Sequence, residues 1–170
     1  RLPSEFNMPF QGVPPRIRGH PHIIETGSMP PSPLTSAELE ELYSIDTPSV
    51  CNVIELFKVR PRHTGYMDSR VKCCIPRKRP MIGYAVTATF RSSSPPPQGL
   101  DVYSGLLKQL DIFGHTPTPP VIVFQDLDEP DVGATIGEVM CTVYKAFGAA
   151  GLITSGTIRD IDQIEAIDFP

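Results

Sequence analysis

Residues 121–160, VIVFQDLDEPDVGATIGEVMCTVYKAFGAAGLITSGTIRD, carry the pattern that decides the fold. Val121-Ile122-Val123-Phe124 is a short apolar run of the kind that forms a strand buried on both faces. An acidic loop follows from Asp126 to Asp131. Ala134 to Phe147 then places Ile136, Val139, Met140, Val143 and Phe147 on one side, which predicts the longest helix of the chain. Gly151 to Thr154 predicts a second buried strand, followed by a turn and a helix from Asp160. Strand, helix, strand, helix predicts an α/β fold. In such folds ligands collect in the loops beyond the carboxyl ends of adjacent strands.

Working outward, Thr35 and Glu38 form a capping box that opens a short helix through Leu42. Thr47-Pro48 predicts an N-cap with proline at the first helical position, starting a helix through Leu56. Val71 to Ile75 and Met81 to Phe90 read as strands, the latter with Ala85, Thr87 and Thr89 alternating. Asp101 to Leu110 has helical spacing in Val102, Leu106, Leu107 and Leu110. Residues 1–33 carry eight of the twenty prolines and predict an irregular or partly disordered arm, one that could wrap a neighbouring subunit. Residues 34–170 are expected to form one α/β domain. Ser92 to Pro97 and Thr116 to Pro120 punctuate it as loops.

A length of 170 residues suits one domain with a single core. No apolar run approaches the roughly 20 residues of a membrane span. The N-terminal residues lack the basic-then-apolar pattern of a secretory signal, so a cytoplasmic address is expected. The net charge of −4 argues against nucleic-acid binding. Its distribution is uneven: residues 57–79 hold eight bases against one acid, Asp68, while residues 125–170 hold nine acids against Lys145 and Arg159. The basic stretch reads as a solvated surface or as an anion-collecting rim. Cys51, Cys73, Cys74 and Cys141 show no zinc spacing; Cys51 and Cys141 read as core fillers, and all four as reduced thiols.

Chemistry concentrates at two helix starts, Gly133-Ala134-Thr135-Ile136-Gly137-Glu138 and Ser155-Gly156-Thr157-Ile158-Arg159-Asp160. Helix N-termini offer free backbone N–H groups to a carboxylate or phosphate. The planar fork of Arg159 suits a carboxylate or keto oxygen. Asp160 suits a hard divalent cation that keeps most of its waters. With Glu138, these are parts for enolate chemistry. Spacing alone is equally consistent with structure: Asp160 with Gln163 as a capping box, Glu138 as a first-turn charge, and the glycines as turn residues.

The order of landmarks resembles one family, the RraA-like proteins, which include 4-hydroxy-4-methyl-2-oxoglutarate aldolases. Its signature is Gly followed by an acid, twenty residues, then Arg-Asp; here Gly137-Glu138, Val139 to Ile158, and Arg159-Asp160 match it. Ile45 to Asn52, Gly83 to Thr87 and Gly148 to Ile153 also resemble family segments, so the likeness runs from about residue 36 to 170. The resemblance implies a swivelling β/β/α, phosphohistidine-domain-like three-layer fold, assembled as a trimer or hexamer with sites between subunits. It implies Mg2+ or Mn2+ on Asp160, and Arg159 on the keto oxygen of a small 2-oxo acid. Glu138 would act through a water on the metal, and backbone N–H groups around Gly137, Val139 and Met140 would hold the substrate carboxylate. The implied reaction is retro-aldol cleavage of a 4-hydroxy-2-oxo acid to pyruvate and an oxo compound, with oxaloacetate decarboxylation through the same enolate.

Three departures accompany the likeness. Asn52 stands where the family often has Asp, and Gln163 where an acid often follows Arg-Asp, which predicts weaker charge around a metal. Family members also continue past the equivalent of Pro170 with another strand, where aldolases carry an acid for the adjoining subunit; the chain is expected to be truncated there. The main rival is a regulator that binds a ribonuclease or other protein partner, but such regulators lose the metal-binding Asp that is kept here as Asp160. A noncatalytic small-molecule binder and a different enolase-type lyase or tautomerase are the other readings.

Overall fold

Three parallel strands collect the chain's apolar runs: β1 (Tyr84–Phe90), β2 (Pro120–Asp126) and β3 (Gly151–Thr154), in the order β1-β2-β3. They belong to a computed structural model that describes residues 31–67, 69–76, 79–97, 101 and 103–170. The helices are α1 (Ser36–Leu42), α2 (Thr47–Leu56), α3 (Ser104–Phe113), α4 (Glu138–Ala146) and α5 (Ile161–Ala166). Apart from residues 31–33, the proline-rich arm lies outside the described residues.

β2 is central, and Val86 and Leu152 flank Ile122 in register on either side. A middle parallel strand is covered on both faces, which is why β2 reads as an unbroken apolar run. Ile122 is fully buried, and Val86, Phe113, Phe124, Ile136, Cys141, Tyr144, Ile164 and Phe169 complete the core around it. Truncating Ile122 to Ala removes three carbons from a fully buried site. We expect a loss of about 2–5 kcal/mol, read as a lower urea midpoint with unchanged slope.

A buried polar contact joins α3 to α4. Tyr144 of α4 is fully buried and its hydroxyl donates to Gln109 Oε1 of α3, beside the Phe113 ring at a centroid distance of 5.9 Å. Gln109 Nε2 finds no partner among the described residues. α4 stops at Gly148, whose positive φ of 88° lets Gly148 N–H reach Lys145 O and Ala149 N–H reach Tyr144 O. That closes the helix as a Schellman motif and turns the chain directly into β3.

Several elements depart from the sequence reading. Val71 to Ile75 forms no strand; Lys72, Cys73 and Cys74 are exposed and only Ile75 is buried, so no sheet edge pairs with the segment. The cap of α2 is Asp46, whose Oδ1 accepts from Ser49 N–H at 2.8 Å, placing Thr47 inside the helix. α3 begins three residues later than expected, because Asp101 Oδ1 accepts from Tyr103 and Ser104 N–H and holds a turn. Cys51 is exposed, not a core filler, whereas Cys141 is buried as expected. The Thr35–Glu38 capping box is present on both sides.

Candidate functional site

The helix expected from Ala134 starts only at Glu138, and this shift builds the site. Residues 133–137 run extended beside residues 157–159. Thr135 N–H donates to Thr157 O at 2.8 Å, Arg159 N–H donates to Ile136 O at 3.1 Å, and Ile136 pairs with Ile158 as a parallel bridge. Ile136 is therefore buried as a strand-like residue, not on a helix face. The loops after β2 and β3 are thus zipped together, and Gly137 is set against Arg159 and Asp160. A Cβ at Gly137 would lie 2.7 Å from Asp160 Oδ2 and 2.9 Å from Arg159 Nε. Glycine is what permits that approach.

Asp160 occupies the N-cap position of α5, yet its side chain makes no cap hydrogen bond. Its backbone is left-handed, at φ 63° and ψ 36°, which for a residue other than glycine costs about 1–2 kcal/mol. The carboxylate turns away from its own helix: Oδ2 accepts from Glu138 N–H at 3.2 Å and lies 3.6 Å from Arg159 Nε. The capping-box reading of Asp160 with Gln163 is thereby set aside. Strain of this kind persists where the surroundings hold it, often at working sites.

The other expected residues divide. The backbone of Glu138 lies at the junction, but its carboxylate is engaged along its own helix, where Thr142 Oγ1 donates to Oε1 at 2.6 Å. Val139 and Met140 occupy the first turn of α4, where N–H groups have no intrahelical acceptor. The Val139 side chain is exposed and Met140 packs on the core. The Arg159 side chain is 74% exposed and that of Asp160 40%, so the group sits on an open rim. A cavity of about 480 Å³ lies elsewhere, lined by Glu40, Tyr43, Arg79, Lys145, Asp168 and Phe169. Arg79, the end of the basic stretch, pairs with Glu40 there and stacks on Tyr43. No described contact joins it to Arg159 or Asp160.

Behind the site, burial first and then the charges of Glu138 and Asp160 push the Cys141 thiol up to about 11. A thiol so held is no nucleophile at neutral pH.

The sequence reading passed over the support beneath this rim. Asp128, seen only as part of an acidic loop, is buried and accepts from Ser93 Oγ at 2.6 Å, from Ser92 and Ser93 N–H at 2.7 and 2.9 Å, and from Ser92 Oγ at 3.1 Å. Ser92 Oγ in turn accepts from Gly133 N–H at 2.7 Å, tying the loop after β1 to the one carrying Gly137. The Ser93 hydroxyl is the largest of the contacts that bring the Asp128 carboxyl down to about 2, against its burial. Its folded value lies below the ordinary carboxylate value, so its stabilisation is fully present above about pH 4. It is lost as pH falls toward 2. Asp128→Asn should flatten that acid limb of stability, measured by urea midpoints between pH 5 and about 2; an unchanged limb would refute the role.

A parallel α/β sheet thus gathers a carboxylate, a guanidinium and a helix N-terminus at its carboxyl edge. The chain belongs to the RraA-like family, for the Aldolase/RraA family model matches residues 47–170. That family includes lyases as well as regulators. Among solved structures, the chain is similar to the crystal structure of an uncharacterized protein from Pseudomonas syringae pv. tomato str. DC3000, at 21% identity and a TM-score of 0.54. The alignment covers 84% of this chain and 59% of that one; it speaks to the fold alone. No curated protein matches the chain. No helix among the described residues is long and apolar enough to cross a membrane.

Proposed function

We propose that this protein is a divalent-metal-dependent lyase that cleaves a 4-hydroxy-2-oxo acid to pyruvate and an oxo compound, and decarboxylates oxaloacetate. The observation that carries this reading is the Asp160 carboxylate, turned from its own helix toward the start of α4 beside Arg159. Among the described residues no three His, Cys, Asp or Glu side chains cluster as metal ligands, so a closed zinc-type set does not fit. A hard cation fits better: the described hydrogen bond and ion pair of Asp160 both fall on Oδ2, and the side chain is partly exposed, as a cation that keeps water ligands needs. Mg2+ or Mn2+ on Asp160 would supply Lewis-acid stabilisation of developing negative charge.

The remaining work falls to the chain. Free N–H groups at Val139 and Met140, with Gly137 giving close access, hold the substrate carboxylate at the positive end of α4. Arg159 orients the keto oxygen and offsets its charge as the enolate forms. Loss of the 4-hydroxyl proton sends its electrons into a new carbonyl, the C3–C4 bond breaks, and that pair becomes the pyruvate enolate. Glu138 Oε2, the oxygen not held by Thr142, is the chain's group for moving that proton by way of solvent.

Residues 34–170 form the catalytic domain in this proposal, in the swivelling β/β/α arrangement, with residues 1–33 as an arm. Assembly as a trimer or hexamer belongs to the same reading, supported by Val53, Leu56 and Phe57, which leave α2 exposed and apolar. The four cysteines carry no disulfide, which supports a cytoplasmic address. The test is pyruvate release from 4-hydroxy-4-methyl-2-oxoglutarate and from oxaloacetate, with Mg2+ and with a chelator. Release that requires the metal is expected. No release from either substrate would reject the lyase and favour the regulator.

A further inference from the structure

Glu138 and Thr142 stand one helical turn apart on α4, and side chains at that spacing share a face. Thr142 leans toward the helix start and its Oγ1 donates to Glu138 Oε1 at 2.6 Å. A threonine inside a helix commonly bonds back to the carbonyl four residues before it. Here the hydroxyl is given to a carboxylate. Thr142 is exposed and takes no part in the core, so packing does not explain its place. Glu138 is thus held at both ends: its N–H by Asp160 Oδ2 and its carboxylate by Thr142.

We infer that Thr142 is a positioning residue for Glu138, fixing one carboxylate oxygen and leaving the other free to move a proton by way of solvent. The inference rests on the lyase reading above. Glutamate has three side-chain torsions, and an unanchored carboxylate spreads over several rotamers of which one is productive. Thr142 adds no contact to substrate, so its loss leaves binding alone and slows the proton step.

The test is kcat and KM for pyruvate release at saturating Mg2+ in Thr142→Val, which keeps shape and loses the donor, and Thr142→Ser, which keeps the donor. The expected result is a kcat about tenfold lower in Thr142→Val with KM within about twofold. Thr142→Ser should return kcat to within about twofold of the parent. In a Glu138→Gln background, Thr142→Val should have no further effect on kcat, because its partner is already gone. Thermal midpoints should agree within about 2 °C, as for other exposed sites. An unchanged kcat in Thr142→Val, an equal loss with and without Glu138, or failure of serine to rescue overturns this inference while leaving the lyase intact. Absence of pyruvate release from the parent protein overturns both.

Discussion

Asp160→Ala is expected to lower metal-dependent pyruvate release by about 100-fold or more, with little change in fold stability. The size follows from what the carboxylate does. In the proposed role it holds the cation that offsets the developing oxyanion, and loss of such an electrostatic stabiliser costs about 10²–10³ in rate. The stability effect is small because Asp160 makes no cap for α5, and alanine deletes only the contact to Glu138 N–H and an exposed ion pair with Arg159. The left-handed backbone sets a bound on this, since alanine tolerates φ near 63° less well than aspartate. Asp160→Asn tolerates that backbone and keeps an acceptor for Glu138 N–H while losing the charge. Equal loss of rate in both variants assigns the effect to charge; full activity in either would contradict the proposed role. The kcat measured at saturating substrate, beside a urea melt, makes the comparison.

Gly137→Ala is the second large effect. The backbone there is extended, at φ −145° and ψ −178°, which alanine adopts freely. The added Cβ would lie 2.7 Å from Asp160 Oδ2, 2.9 Å from Arg159 Nε and 3.2 Å from Arg159 Cγ. These are mobile side-chain atoms on an open rim, so they move aside at a cost of less than about 1 kcal/mol in stability. Catalysis is less forgiving, because misplacing reacting groups by about 1 Å costs about 10²-fold. The expected signature is a drop of that order in kcat/KM with a nearly unchanged urea midpoint. A large loss of stability with proportionate loss of activity would show that Gly137 serves packing instead. Gly156→Ala supplies the contrast: its Cβ would meet Asp126 Cβ at 2.8 Å and Thr135 Oγ1 at 2.3 Å, so stability should fall first.

Much of the sheet was legible because the strands obey simple rules. β2 and β3 read as short apolar runs since parallel strands bury both faces, and β3 matches its expected bounds of Gly151 and Thr154. The capping box of α1 was legible because its two hydrogen bonds are local. The start of α4 was not. Ile136 falls in helical phase with Val139, Met140 and Val143, but its partner is Ile158, twenty-two residues away, and periodicity cannot weigh that pairing. Val71 to Ile75 has strand composition and no sheet edge to join, which composition alone does not reveal.

The candidate site was half legible. Spacing placed Gly137, Arg159 and Asp160 at two loop ends that a parallel sheet brings together, and the structure joins them through Glu138 N–H. Sequence left the cap and site readings of Asp160 open, because an aspartate before a helix satisfies both. Only the direction of the carboxylate separates them. The buried Asp128 and its serine partners were invisible, since Ser92 and Ser93 lie about 35 residues from it in the chain.

The most direct measurement is a paramagnetic resonance titration of Mn2+ into the parent protein and Asp160→Asn, with and without oxalate as a planar mimic of the pyruvate enolate. The expected result is saturable loss of the free Mn2+ signal in the parent, tightened by oxalate, and weakened at least about tenfold in Asp160→Asn. Equal Mn2+ binding by the two proteins, or none that oxalate strengthens, would contradict a cation held at Asp160 beside Arg159.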